Sequence, residues 1–404
     1  MNIFINYNSM IGASIVAFFS IAPLKYFFNS LFPDRVSTLL IGSICYIPML
    51  VAFTLRKKNI PFRFLGLFAF VSITFLISLI LHPEYSDYYS SPIGFNAAVL
   101  TFSSSIFGYL FVEISDDSVE FGKCIYIAAI LNFIFYLWLV IGFLPTRIWI
   151  TIDSTGRQHA SYYSMSFSYG MLFPVLVFLK EWIVKRNLID LIGAITGLIS
   201  IVLFGSRGAL LCLIIFGVLY WIFILGVKRK IIIFFTLLIF LIFIAFIWKD
   251  ILEYLAALFP TSRTLELLSG GLLYINDRNS IWIEAIEYIL KNPFGYGPMA
   301  DQYLLGEYSH NVVIELMITF GVIPGIALLI FFMIKSMHIL TNPIEKENKL
   351  IFMIFFSIVV GKLLFSSSFW YETYLWTCIA LFHKYRKRHS IANMKHPSYR
   401  SMIL

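Results

Sequence analysis

The sequence predicts an all-α, polytopic integral membrane protein with about twelve transmembrane helices. The 404 residues are 60% hydrophobic and only 13% charged, so a water-soluble fold of this length could not cover its apolar surface. Apolar runs of about 18–22 residues recur along almost the whole chain, which is the length that crosses the hydrocarbon core of a bilayer. The runs lack the alternation typical of membrane β-strands.

The predicted spans follow the apolar runs in order. They cover residues 10–28, 36–55, 63–81, 93–112, 122–143, 163–179, 188–205, 208–227, 231–248, 311–334, 350–368 and 371–383. We treat residues 1–404 as a single transmembrane domain. Within it, residues 249–310 form one connection that is far longer than a helix hairpin needs, and we expect it to carry short amphipathic helices.

Lysine and arginine residues mark one side of the predicted membrane. They concentrate near 56–63, 180–186, 228–230 and 335–349, and in the tail LFHKYRKRH. By the positive-inside rule these segments and both termini are cytoplasmic, so the long connection 249–310 faces outward. The formal net charge of +8 is therefore topological, and we expect no nucleic-acid partner.

The stretch FGSRGALL, residues 204–211, joins two predicted spans with almost no loop. Ser206 is placed to cap the following helix, while Gly205 and Gly208 permit a tight turn. Arg207 then lies at a helix N-terminus, where free N–H groups favour an anion and a guanidinium can bind phosphate oxygens. We predict an anion site at Arg207; an arginine that extends to lipid headgroups is the alternative.

Residues 276–298, NDRNSIWIEAIEYILKNPFGYGP, predict an amphipathic helix on the outer surface or against the bundle. Arg278 stands one turn before Trp282, where it could bind an anion or stack on the indole ring. A plain surface helix with a solvated arginine is the alternative. The expected apolar face consists of Ile281, Trp282, Ala285, Ile286, Ile289 and Leu290.

The stretch GEYSHNVVIELMITFGVIPG, residues 306–325, opens a predicted span with polar side chains. Asn311, Glu315 and Thr319 are spaced four apart, which predicts a polar stripe facing a cavity and not lipid. We predict an ion pair between Glu315 and Lys362. His310 is a candidate general base or hydrogen-bond donor at a reacting hydroxyl, with a structural interfacial histidine as the alternative.

An earlier outer stretch, TGRQHASYYSMSFSYG at 155–170, places Arg157 and His159 before a span rich in serine and tyrosine. A polar, aromatic helix start of this kind suits contacts with sugars.

In their order along the chain, these motifs resemble the O-antigen ligase and polymerase superfamily of bacterial surface-polysaccharide enzymes. The motifs are SRG at 206–208, R-x-x-x-W from Arg278 to Trp282, NPFGYGP at 292–298, and HN before VVIELMITFGVIPG. The resemblance covers about 150–335. It implies a GT-C-type, metal-independent glycosyltransferase of the bacterial inner membrane, with its active site facing the periplasm and no cofactor.

The resemblance also implies roles for single residues. Arg207 and Arg278 would hold the diphosphate of an undecaprenyl-diphosphate-linked glycan, and His310 would engage the acceptor hydroxyl or the reacting centre. Arg157 matches a loop arginine of the family only loosely, because the usual run of Gly, Asn and Pro after it is missing. We expect the substrate to contact Arg157, Trp282, Tyr296, Asn311 and Glu315.

Within this superfamily we expect a polymerase, which joins one lipid-linked glycan to another repeat unit. A ligase that transfers the glycan to lipid A core is the first alternative. A transporter or flippase is the alternative from another class, but it predicts an internal repeat with ionisable residues near the midplane, which the sequence does not show. The expected partners are lipid-linked oligosaccharides and membrane lipid, with a chain-length regulator as a further candidate.

Overall fold

A computed structural model gives the structure of the protein. It describes residues 7–56, 60–86, 102–115, 121–146, 149–152, 158–161, 164–232, 254, 257–258 and 278–395. The predicted span 231–248 lies almost wholly outside these residues, as does the first part of the predicted span 93–112.

The described residues are almost entirely helical, which confirms the all-α prediction. The helices are α1 (Tyr7–Phe19), α2 (Ile21–Leu31), α3 (Asp34–Arg56), α4 (Phe62–Leu81), α5 (Phe102–Ile114), α6 (Phe121–Thr146), α7 (Met165–Lys185), α8 (Leu188–Phe204), α9 (Arg207–Phe223), α10 (Arg278–Lys291), α11 (Ala300–Leu305), α12 (Val312–Phe320), α13 (Val322–Thr341), α14 (Lys346–Leu363) and α15 (Thr373–Lys395). A two-stranded antiparallel hairpin, which we did not predict, pairs β1 (Trp149–Ile152) with β2 (Gln158–Ser161).

The chain divides into two compact units. The first consists of residues 1–58 and 117–275, and the second of residues 59–116 and 276–404. The first unit therefore contains α1–α3, α6–α9 and the hairpin, and the second contains α4, α5 and α10–α15.

In the first unit, α7 is the most buried helix and packs between α6 and α8. Glycines let α8 approach it closely, since a Cβ on Gly197 would lie 2.4 Å from the side chain of Val175. The predicted span 10–28 is wrong as a single helix, because α1 and α2 are bent by 77° at Ser20. Asn132 of α6 donates to the Phe19 carbonyl at 2.8 Å and so satisfies an acceptor that the bend leaves open.

In the second unit, α15 packs along α5 and against α14, which is buried over most of its length. A Cβ on Gly108 would lie 2.7 Å from Thr377 Oγ1, so only glycine permits the close approach of α5 and α15. Lys384 Nζ donates to the Ser115 carbonyl at 2.6 Å and supplies a cation at the C-terminal end of α5.

Five described helices are long and apolar enough to cross a membrane. They lie at Asp34–Thr54, Phe62–Leu81, Phe121–Pro145, Met165–Lys185 and Val322–Thr341, and the bent pair of α1 and α2 would make a sixth. These helices indicate a membrane protein, but the twelve predicted spans are not all present as such. The predicted span 311–334 is wrong as a single helix, because the chain breaks at Gly321 between α12 and α13.

Candidate functional site

His310 lies directly before α12, in a turn of the second unit. Its φ is +54°, in the left-handed region that non-glycine residues rarely adopt. Asn311 caps α12, because its Oδ1 accepts hydrogen bonds from the backbone N–H groups of Val313 at 3.0 Å and Ile314 at 3.5 Å. The cap leaves the imidazole at the start of the helix.

The imidazole of His310 is only 12% exposed and is bordered by two neighbouring side chains. Its Nε2 lies 3.6 Å from Glu307 Oε2, within ion-pair distance when the ring is protonated. The Tyr308 ring centroid lies 4.1 Å from that of His310. The position of the Tyr308 side chain is itself fixed by a hydrogen bond, because its hydroxyl donates to the Ser366 carbonyl at 3.2 Å.

Ser309, the residue before His310, has hydrogen bonds at both its backbone N–H and its carbonyl. The Ser309 N–H donates to Asp301 Oδ2 at 2.9 Å, and the Ser309 carbonyl accepts from Trp282 Nε1 at 2.9 Å. Trp282, which we predicted as a substrate contact, thus uses its N–H within the protein. Asp301 was missed by the sequence analysis; it stands in the first turn of the short helix α11, and an acidic residue there gives no signal of burial.

Asp301 is completely buried. Burial raises the pKa of its carboxyl to about 6, although the N–H groups of Ser309, Gln302 and Asp301 itself act in the opposite direction. Its second oxygen, Oδ1, accepts no hydrogen bond of ordinary geometry from the described residues.

Glu315 of α12 lies below this turn and is 1% exposed. Its carboxylate accepts hydrogen bonds from the Ser368 hydroxyl and, at 3.1 Å, from the Phe369 N–H. The predicted ion pair with Lys362 is wrong, because Lys362 Nζ lies 2.6 Å from Glu372 Oε2 instead. The polar stripe of α12 is nevertheless turned away from lipid, since Thr319 is also buried. In the structure Glu315 is therefore bound by protein groups.

The NPFGYGP segment, residues 292–298, fills the break between α12 and α13. The N–H of Tyr296 donates to the Ile318 carbonyl at 2.8 Å, and the N–H of Val322 donates to the Pro293 carbonyl at 2.9 Å. Gly321 has φ +88°, and a Cβ there would lie 2.7 Å from the backbone of Phe294. The Tyr296 hydroxyl donates to the Tyr288 carbonyl at 3.0 Å, so this predicted substrate contact also has an internal partner.

The amphipathic helix expected within 276–298 is α10, but its apolar face is only partly buried. Ala285 and Ile289 face the protein, whereas Ile286 and Leu290 are exposed. Among the described elements, the helix packs against α11 and α12. Arg278 is its first residue, and the side chain of Arg278 lies outside the described part of the structure.

Arg207 begins α9 in the first unit, and its side chain is half-buried. Ser206 stands at the capping position, but its side chain makes no capping hydrogen bond; its N–H donates to Ser168 Oγ at 2.6 Å. A Cβ on Gly205 would lie 2.5 Å from that same Oγ, so glycine is required by close approach to α7. Within the described residues, no carboxylate pairs with Arg207. Arg157, the remaining predicted residue, falls outside those residues.

Two further observations concern metal binding and the exposure of the carboxylates. In the described ranges, no group of three or more His, Cys, Asp or Glu side chains could hold a metal ion. Of the carboxylates described above, those of Asp301, Glu315 and Glu372 are buried, whereas that of Glu307 is 53% exposed.

Residues 192–332 match the family model described as O-antigen ligase. The match confirms the resemblance to the O-antigen ligase and polymerase superfamily, which comprises enzymes of the bacterial inner membrane. The matched segment includes Arg207, Arg278 and His310, whereas Arg157 lies outside it. No curated protein and no solved structure matches the chain.

Proposed function

Because residues 192–332 match the O-antigen ligase family, we propose that the chain is a surface-polysaccharide polymerase, a glycosyltransferase of GT-C type. It transfers an undecaprenyl-diphosphate-linked glycan to the terminal sugar hydroxyl of another lipid-linked repeat unit and releases undecaprenyl diphosphate. The proposal depends on one observation. Inside the matched segment, the turn at 307–311 places His310 directly before helix α12, which Asn311 caps.

In this proposal the reaction is a direct displacement with inversion. The acceptor oxygen forms a bond to the anomeric carbon as the bond from that carbon to the diphosphate oxygen breaks. The diphosphate carries away the electron pair, and Arg207 and Arg278 stabilise its charge without a metal ion. His310 takes the proton of the acceptor hydroxyl, and the carboxylate of Glu307 stabilises the imidazolium that forms.

The environment of two carboxylates, those of Asp301 and Glu315, supports displacement without a covalent intermediate, while the exposed carboxylate of Glu307 is assigned to the imidazolium of His310. Asp301 and Glu315 are fully buried and accept hydrogen bonds from protein groups, so neither is available as a nucleophile. The imidazole of His310, by contrast, retains 12% exposure.

The half-buried position of Arg207 supports its role at the diphosphate. A guanidinium that has no carboxylate partner among the described residues keeps its donors for an outside anion. The start of α9 adds backbone N–H groups at the same place.

The experiment that tests the proposal is the length distribution of the lipid-linked glycan in cells. Arg207→Ala, Arg278→Ala and His310→Ala should each leave single repeat units on the lipid while export continues. Matched controls are Arg186→Ala, whose guanidinium lies over the Trp182 ring, and His338→Ala, whose ring bonds to Asn342. Long chains in all three test variants would refute the assignment.

The same experiment separates the alternatives. A ligase defect leaves long chains on undecaprenyl diphosphate and none on lipid A core. A transporter defect leaves repeat units on the cytoplasmic leaflet. We favour the polymerase because the chain departs from the family's pattern after Arg157, and polymerases of this superfamily are the more divergent members, which often keep the motifs imperfectly.

A further inference from the structure

We propose that Asp301 is the positioning residue of His310: through the N–H of Ser309, its carboxylate fixes the turn that presents the imidazole to the acceptor hydroxyl. The inference rests on the proposed function of His310. In this inference, Asp301 does not contact the substrate.

The first argument is the way in which the turn is held. The Ser309 carbonyl belongs to the peptide bond that joins Ser309 to His310, and Trp282 holds that carbonyl. On the other side of His310, the Asn311 side chain caps α12, and the Asn311 carbonyl accepts from the Glu315 N–H at 2.9 Å. The backbone of His310 is thus fixed at both ends.

The second argument is the strained conformation that these contacts maintain. A φ of +54° at a histidine costs on the order of 1 kcal/mol and persists only where the surroundings determine it. Among the described residues, Asp301 supplies the acceptor for the N–H of Ser309, and Ser309 as a residue is 1% exposed. Without that acceptor, the buried N–H has no partner and the turn is free to relax.

The third argument is the folding free energy that is lost by burying the Asp301 carboxylate. Asp301 is fully buried, and an ionisable group in such a place destabilises a fold unless it is well paired. One of its oxygens accepts from Ser309, whereas Oδ1 accepts no ordinary hydrogen bond from described residues. Packing alone would be better served by an apolar side chain, which points to the Ser309 contact as the reason for a hydrogen-bond acceptor here.

The experiment measures kcat and the KM for the lipid-linked donor with the full-length enzyme in lipid vesicles. Asp301→Ala removes the acceptor, so kcat should fall roughly 10- to 100-fold with little change in KM, as expected when a reacting group is displaced. Asp301→Asn keeps an acceptor oxygen for Ser309 and should retain kcat within roughly threefold. Asp190→Ala is the matched control, since Asp190 is a buried aspartate of the first unit that accepts from Tyr126 at 2.8 Å.

A double-mutant cycle decides whether Asp301 acts through His310. In a His310→Gln background, Asp301→Ala should cause less than a roughly twofold further loss of kcat, because the group it positions is already gone. A full further loss would mean that Asp301 only stabilises the fold, and wild-type kcat in Asp301→Ala would also overturn the inference. An inactive Asp301→Asn would overturn the inference as well, because the charge and not the acceptor oxygen would then be required. If His310→Gln itself has wild-type kcat, the proposed function of His310 fails, whatever Asp301 does.

Discussion

Trp282 and Ser309 are joined by a hydrogen bond of 2.9 Å between the indole N–H and the backbone carbonyl. The bond connects the amphipathic helix α10 to the turn that carries His310. It also changes the interpretation of the R-x-x-x-W motif, because the tryptophan of this motif positions a backbone group of the protein.

Replacement of Trp282 by phenylalanine tests this relationship. Trp282→Phe keeps an aromatic ring but removes the donor, so the buried Ser309 carbonyl loses its partner at a cost of about 1–3 kcal/mol. We expect shorter glycans and a kcat lowered roughly tenfold, measured on the enzyme in vesicles. Trp138→Phe, at a tryptophan that is 52% exposed on α6, is the control and should behave as wild type. Equal kcat for the two variants would show that the bond has no role in the reaction.

Hydropathy predicted the long helices because their length and composition are local properties. The prediction for 63–81 agrees with α4, Phe62–Leu81, within a residue. The break at Gly321 could not be seen, because one glycine in an apolar run is common within helices. The break depends on residues 293–297, which bond to the backbone at 318–322 from 22 or more positions away.

The predicted site residues were located by motif, but their contacts were not predictable. Glu315 binds Ser368, a residue 53 positions away that the sequence analysis did not single out, and Lys362 binds Glu372. Charge complementarity suggested that the glutamate and the lysine pair with each other. In the sequence, Glu372 was an equally available partner for Lys362, and the Ser368 hydroxyl for Glu315. Only tertiary packing selects among these pairs.

Gly321→Ala should be strongly destabilising. The residue has φ +88°, and the added Cβ would lie 2.7 Å from the carbonyl carbon and oxygen of Phe294, which are backbone atoms. We expect a loss of more than about 2 kcal/mol, seen as a lower Tm of the purified protein and a lower level in the membrane. Gly217→Ala is the control, because nothing lies within 4 Å of a Cβ at that helical glycine. The prediction is wrong if both variants have the same Tm.

Ser168→Ala should weaken donor binding through Arg207. The Ser168 hydroxyl accepts the Ser206 N–H at 2.6 Å, and Ser206 precedes Arg207 at the start of α9. Loss of this acceptor loosens the junction between α8 and α9, where Arg207 stands. We therefore expect the KM for the lipid-linked donor to rise roughly fivefold or more, with a smaller change in kcat. Ser200→Ala, whose hydroxyl donates to the Thr196 carbonyl of its own helix, should leave the KM unchanged. A change in kcat alone would contradict a role for this junction in binding.

The buried carboxyl of Asp301 predicts a stability that depends on pH. Its pKa is raised from 3.8 to about 6 in the folded protein, chiefly by burial. Between these values the folded chain keeps a proton that the unfolded chain has lost, so this group makes the protein less stable as pH rises through that interval. Asp301→Asn removes the titration and should raise the Tm by about 2 °C or more at pH 7, with little change at pH 4.

The measurement is the Tm from tryptophan fluorescence at both pH values, with Glu284→Gln at an exposed position of α10 as the matched control. The control should leave the Tm unchanged at pH 7 and at pH 4. A lower Tm of Asp301→Asn at pH 7 would mean that the N–H groups around the carboxylate outweigh its desolvation. The expected result would instead show that the buried carboxylate of Asp301 lowers the stability of the fold at pH 7.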